Sequence, residues 1–193
     1  MAITSNEKWV YRDGSRREFQ KATASGSHPS ASVPVPRPRP VSYTHLDVYK
    51  RQFKNCVALQ RIELPDSVVE IGSDAFSGCA SLDEIIVPSD VKKIGFSAFN
   101  GCKALKTVSL GSAIEEIADS AFAGCNLIEE IILPKTVGQQ AFNGCSGLKK
   151  ISFNPEMTVI DKNTFNGCTS LVDVVIPDAV TEIREGAFSG RCV

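Results

Sequence analysis

Histidine is scarce. The 193 residues hold two, His28 and His45, and both precede the repetitive part of the chain. Everything from Phe53 onward therefore lacks the imidazole that most often serves as general base near neutral pH. Long apolar runs are also missing: none approaches the roughly 18 residues a membrane-spanning helix needs. The opening, MAITSNEKWVYRDGSRREF, has no apolar segment of the kind a secretory signal carries, so with Met1 as the true start the chain would be cytoplasmic. No C-x-x-C pair occurs among the seven cysteines, which removes the usual spacing of a compact zinc site. A net charge of −1 conceals a split. Residues 1–52 carry nine Lys/Arg against four Asp/Glu, while residues 53–193 carry twelve against eighteen. The acidic half argues against nucleic acid, which needs clustered Lys/Arg to displace phosphate counterions.

What is present falls into two dissimilar parts, and 42% apolar residues are enough to build a core. The first 52 residues include SVPVPRPRP, a segment too poor in apolar side chains to fold, and we expect residues 1–52 to be disordered. PVPRPRP could instead be a polyproline II ligand, and His28, His45, Tyr43 and Tyr49 could be assembled into a site. The stretch VSYTHLDVYKRQ, residues 41–52, has a different character. Back-translating DVYKRQ as GAT GTG TAT AAG AGA CAG gives the reverse complement CTGTCTCTTATACACATC. With one base of a CCT codon for Pro40 placed before it, that strand encodes Val-Ser-Tyr-Thr-His and begins Leu. The dodecapeptide thus translates a nearly perfect inverted repeat. It resembles two transposase mosaic-end adaptors placed head to head, which implies a chimeric sequence in which residues 1–40 and 53–193 come from different DNA fragments, or from the same gene in an unrelated order.

From Phe53 the chain repeats. Phe stands at 53, 76, 99, 122, 142, 165 and 188, a spacing of 23 with a single spacing of 20. Cysteine follows three places later at 56, 79, 102, 125, 145 and 168. Six after Phe comes Leu or Ile, nine after comes Ile or Val, and eleven after comes another apolar residue such as Leu64 or Ile176. Proline then closes most units, at Pro65, Pro88, Pro134 and Pro177. Pieces such as LQRIEL and LVDVVI alternate with a period of two and predict strands. SDAFSGC spaces its apolar residues as a tight helical turn would. No single unit can bury its Phe, Leu, Ile and Val alone, so the units must stack into a solenoid whose strands form one parallel sheet.

This pattern resembles the BspA-like leucine-rich repeats, with a consensus close to A-F-x-G-C-x-x-L-x-x-I-x-L-P-x-x-V-x-x-I-G. AFSGCASLDEIIVPSDVKKIG, residues 75–95, matches nearly every place. The resemblance covers residues 53–190 and implies a leucine-rich repeat solenoid, with a parallel β-sheet on the concave face and turns or short helices on the convex side. It also implies a bacterial cell-surface or secreted protein of the adhesion type that binds protein or glycan. A structural spacer holding another domain away from a cell wall is the alternative, and a cytoplasmic scaffold is a third reading. Some places depart from the consensus. Three residues are missing between Val137 and Gly138, including the usual Ile, which predicts a shortened convex side in that unit. Gly111 stands where proline is usual, Pro155 is displaced by one, and Arg191 pushes Cys192 out of register. Neither end carries a recognisable cap, so a fragment of a longer protein is expected.

The chemistry-bearing residues have bland explanations. Six cysteines at one per unit suit a column of buried free thiols, although stacked thiols could also reach disulfide distance or draw a metal between rungs. Adjacent acids such as Glu115 and Glu116, or Glu129 and Glu130, point to opposite sides of an extended chain and are expected to be solvated. We expect no enzyme activity, no cofactor and no metal. The candidate surface is formed by the residues that alternate with the inward positions. Arg61, Glu84, Thr107, Glu130, Lys150 and Asp173 lie eight after Phe, and Glu63, Ile86, Ser109, Ile132, Ser152 and Val175 lie ten after. Ile86, Ile132 and Val175 are apolar where solvent is expected, which fits either a contact surface or the ordinary preference of strands for β-branched residues.

Overall fold

In the computed structural model, residues 51–190 are described. The basic N-terminal segment, its candidate motifs, the adaptor-like stretch up to Lys50 and Cys192 lie outside those residues. The chain winds into coils, each opened by one Phe, and it has no regular element longer than three residues among those described.

The second to fifth coils each contribute to two columns of strands, and the first and sixth to one. One column holds β2 (Glu84–Ile86), β4 (Thr107–Ser109), β6 (Glu130–Ile132) and β8 (Lys150–Ser152). The other holds β1 (Glu70–Ile71), β3 (Lys93–Ile94), β5 (Glu116–Ile117), β7 (Thr136–Val137), β9 (Val159–Ile160) and β10 (Glu182–Ile183). Every pairing is parallel and keeps the repeat register, as in Glu84 against Thr107 and Ile71 against Ile94. A solenoid of parallel strands is what the spacing predicts, but the single sheet it suggests is not what forms. β1, β3, β5 and β7 make one sheet, while β2 with β4, β6 with β8, and β9 with β10 make separate pairs. The second column escapes a period-two reading because two residues are too few to alternate.

The third side of each coil is the turn that carries Phe and Cys. A helical turn fails there for a backbone reason. The residue two before each Phe is left-handed, from Arg51 (φ 61°) to Asn163 (φ 55°) and Gly186 (φ 69°), and so is the residue two after, as at Gly101 (φ 74°). Two left-handed residues per turn stop a right-handed helix, so turns and not short helices form this side. The segment stays extended enough to bond to the next coil three times: Asp74 N to Phe96 O, Phe76 N to Ala98 O and Gly78 N to Asn100 O, at 2.7–2.8 Å. Arg51 already follows this pattern, its N–H donating to Ser73 O at 3.3 Å.

Packing follows the same column. Phe53, Phe76, Phe99, Phe122, Phe142, Phe165 and Phe188 form one continuous stack, with centroids 5.1–5.7 Å apart and planes within 14° of parallel. Such separations indicate offset stacking rather than a direct sandwich. The inward Ile and Leu positions complete the core, with Ile71, Leu82, Ile85, Ile94, Leu105, Ile117 and Ile128 fully buried.

The shortened coil differs from expectation in detail. Val137 pairs in register with Ile117, so Val137 itself fills the Ile place. The three missing residues fall between Pro134 and Thr136 and remove the place that Val91 fills elsewhere. In the next coil Asn154 stands at the proline place, and its side-chain oxygen accepts the Glu156 N–H at 2.8 Å, closing the bend by a side-chain turn.

Candidate ligand-binding face

The face is built by the β2, β4, β6 and β8 column. In each strand the middle residue points inward and its neighbours outward: Ile85 is fully buried and Ile131 nearly so, whereas Ile86 is 61% and Ile132 73% exposed. The pleat makes this alternation obligatory. Glu84 and Ile86 lie on β2, Thr107 and Ser109 on β4, Glu130 and Ile132 on β6, and Lys150 and Ser152 on β8. Arg61 and Glu63 in the first coil, and Asp173 and Val175 in the sixth, hold the same repeat positions without regular strand pairing. Val175 is 85% exposed. The pleat thus puts the residues of the two proposed columns that lie on strands on one side.

The position seven after Phe, which spacing alone did not single out, also belongs to this face. There Asp83 accepts an ion pair from Arg61 at 3.6 Å, and Lys149 meets Glu129 at 3.0 Å. Both bridges run between neighbouring coils, and all four side chains are more than two-fifths exposed. Pairs so exposed contribute little stability.

The cysteines lie away from this face and do something simpler than ligation. Each thiol from the second coil to the sixth donates to the carbonyl of the Phe one coil earlier, as Cys102 Sγ does to Phe76 O at 3.2 Å and Cys125 Sγ to Phe99 O at 3.1 Å. The other three, Cys79, Cys145 and Cys168, repeat the contact at 3.0–3.3 Å. Burial raises their pKa values, pushing Cys79 up to about 11 and Cys102 and Cys168 to about 12. These sulfurs are free thiols held protonated as donors, the opposite of a reactive thiolate.

A shallow depression of about 340 Å³ opens where the fourth coil is short, lined by Phe96, Glu116, Asp119, Thr136, Gly138 and Asp161. Phe96 is 52% exposed there. Its sequence signal was available, because the place three before Phe holds polar residues in the other coils (Ser73, Asp119, Gln139, Lys162, Glu185). The carboxylates are already engaged: Glu116 with Lys93 at 2.9 Å, Asp161 with Arg184 at 2.9 Å, and Asp119 with the Gln139 N–H at 2.8 Å.

A stack of short parallel strands, an inward apolar ladder and a Phe–Cys turn in every coil define a leucine-rich repeat protein. The family model for the BspA type leucine rich repeat region matches in six copies over residues 46–139 and 128–192, and the chain belongs to that family. Solved structures agree. A leucine-rich repeat protein from Bacteroides ovatus is 34% identical with a TM-score of 0.68, covering 71% of this chain and 36% of that one. A second, from Eubacterium ventriosum, is 27% identical with a TM-score of 0.64, covering 70% and 37%. A leucine rich cell surface protein from Faecalibacterium prausnitzii is 26% identical with a TM-score of 0.46, covering 72% and 47%. The chain thus spans a little over a third of the length of the first two. No curated protein matches it. Among the described residues no helix is long and apolar enough to cross a membrane.

Proposed function

We propose that this chain is a non-catalytic recognition module that binds protein or glycan through the face carrying β2, β4, β6 and β8, as part of a bacterial cell-surface or secreted protein of the adhesion type. The observation that carries this reading is the exposure of Ile86, Ile132 and Val175 on every second coil of a stacked scaffold. Three large aliphatic side chains exposed on one face lose contact with water when a partner covers them, which favours binding there. The surface location is supported by family membership.

The test is a triple substitution, Ile86→Ser with Ile132→Ser and Val175→Ser, assayed against a glycan array and an immobilised basement-membrane extract. Binding by the parent chain that the triple variant loses, with an unchanged far-ultraviolet spectrum and melt, is the expected result. Equal binding by both chains would place recognition elsewhere.

A further inference from the structure

We propose that the same face docks a second copy of this chain, antiparallel about a two-fold axis, so that self-association and ligand binding compete. The inference rests on the face being a binding surface and adds the partner.

Its basis is the order of charges along the coils. Once the Arg61–Asp83 and Lys149–Glu129 bridges are formed, one charged side chain without an ion pair remains on the face of each coil from the second to the sixth: Glu84, Lys106, Glu130, Lys150 and Asp173. Their signs run minus, plus, minus, plus, minus. The aliphatics share this two-coil period, with Ile86, Ile132 and Val175 on the acidic coils and Ser109 and Ser152 on the basic ones. Alternation between rungs about 4.8 Å apart gives some internal stabilisation. The shortest such contacts are already made by the two bridges, however, and internal pairing does not account for large and small residues keeping the same period.

A facing copy accounts for both. When one chain is turned end for end, the first coil meets the sixth, the second the fifth and the third the fourth. From the second coil to the sixth, coils whose numbers sum to an odd value carry opposite signs. Glu84 then faces Lys150 and Lys106 faces Glu130, each contact made twice as an isologous interface requires, while the bridged Arg61 and Glu63 of the first coil lie opposite Asp173 and Val175 of the sixth. Large side chains meet small ones, Ile86 opposite Ser152 and Ile132 opposite Ser109, which is how two layers interdigitate. Parallel in-register pairing would set like charges together and is excluded by the same arithmetic. Six coils with outward residues seven, eight and ten after Phe present 18 positions, close to the roughly 20–30 residues per partner of a standard interface.

The test is sedimentation velocity on the full 193-residue chain, kept reduced, from about 1 to 100 µM. We expect a concentration-dependent dimer that weakens as salt rises. Glu84→Lys alone, and Lys150→Glu alone, should each weaken dimerisation at least tenfold by setting like charges opposite one another, and an equimolar mixture of the two variants should restore it as a heterodimer. A parent chain that stays monomeric throughout overturns the proposal, as does a dimer indifferent to both reversals. Either outcome leaves the recognition reading to its own assay, since a monomer can still bind the glycan array or matrix extract and lose that binding in the Ile86/Ile132/Val175 variant.

Discussion

The turn column and the strand face solve the same stacking problem with different rigour. Along the turns, neighbouring coils are joined by repeated backbone bonds, an aromatic contact and, from the second coil to the sixth, a thiol bond to the coil before. Along the face, pairing is intermittent, and β4 and β6 do not pair at all. Cohesion therefore resides where the sequence is most uniform. The face can vary residue by residue because the stack does not depend on it, which is the division of labour a recognition scaffold needs.

Substitutions that break or sharpen this contrast fall in order of size. Phe99→Ala, in the middle of the aromatic stack, should cost about 3–5 kcal/mol in urea unfolding, and a cost under about 1 would mean the stack is not the principal core. Cys102→Ala removes the thiol donor to Phe76 O, and a loss of about 1–2 kcal/mol is expected. The thiols also set a pH response. Their pKa values are raised by burial from an ordinary value near 9, to about 12 for Cys102 and Cys168. Above that ordinary value the unfolded chain sheds protons that the folded chain keeps. Stability is therefore fully present below about pH 8 and falls as pH rises toward 12. Melts at pH 7 and pH 10 should show the drop, and a Cys102→Ala/Cys168→Ala chain should show less of it. On the exposed side, Lys93→Ala, which breaks the 2.9 Å bridge to Glu116, should change stability by less than about 1 kcal/mol. The smallest effect belongs to the face itself: Ile86→Ser with Ile132→Ser should shift unfolding by no more than about 0.5 kcal/mol per site.

Much of this architecture could be read from spacing, because a residue that must meet its own copy in the next coil has no freedom to drift. The Phe and Cys columns, the inward Leu and Ile ladder and the outward positions of the strands all follow from that constraint. Other features left no such trace. The left-handed place two before Phe is filled by Arg51, Asp74, Ser97, Ser120, Gln140 and Asn163, with glycine only at Gly186, so composition does not announce it. The gap in the fourth coil was assigned to the Ile place because Val137 fits either apolar position by type, and only its pairing with Ile117 decides between them. The absence of pairing between β4 and β6 occurs with spacing identical to that of the pairs that do form. The charge alternation was visible in the sequence but acquires meaning only when the bridges that cancel part of it are subtracted.

The thiol column gives this protein an internal record of its own opening. A closed junction hides its sulfur from alkylating reagents, and a parted one offers it, so each cysteine reports a single numbered seam. Pulse labelling followed by peptide mass analysis would show where fraying begins and how far it travels before the whole stack gives way, with no probe added to the chain.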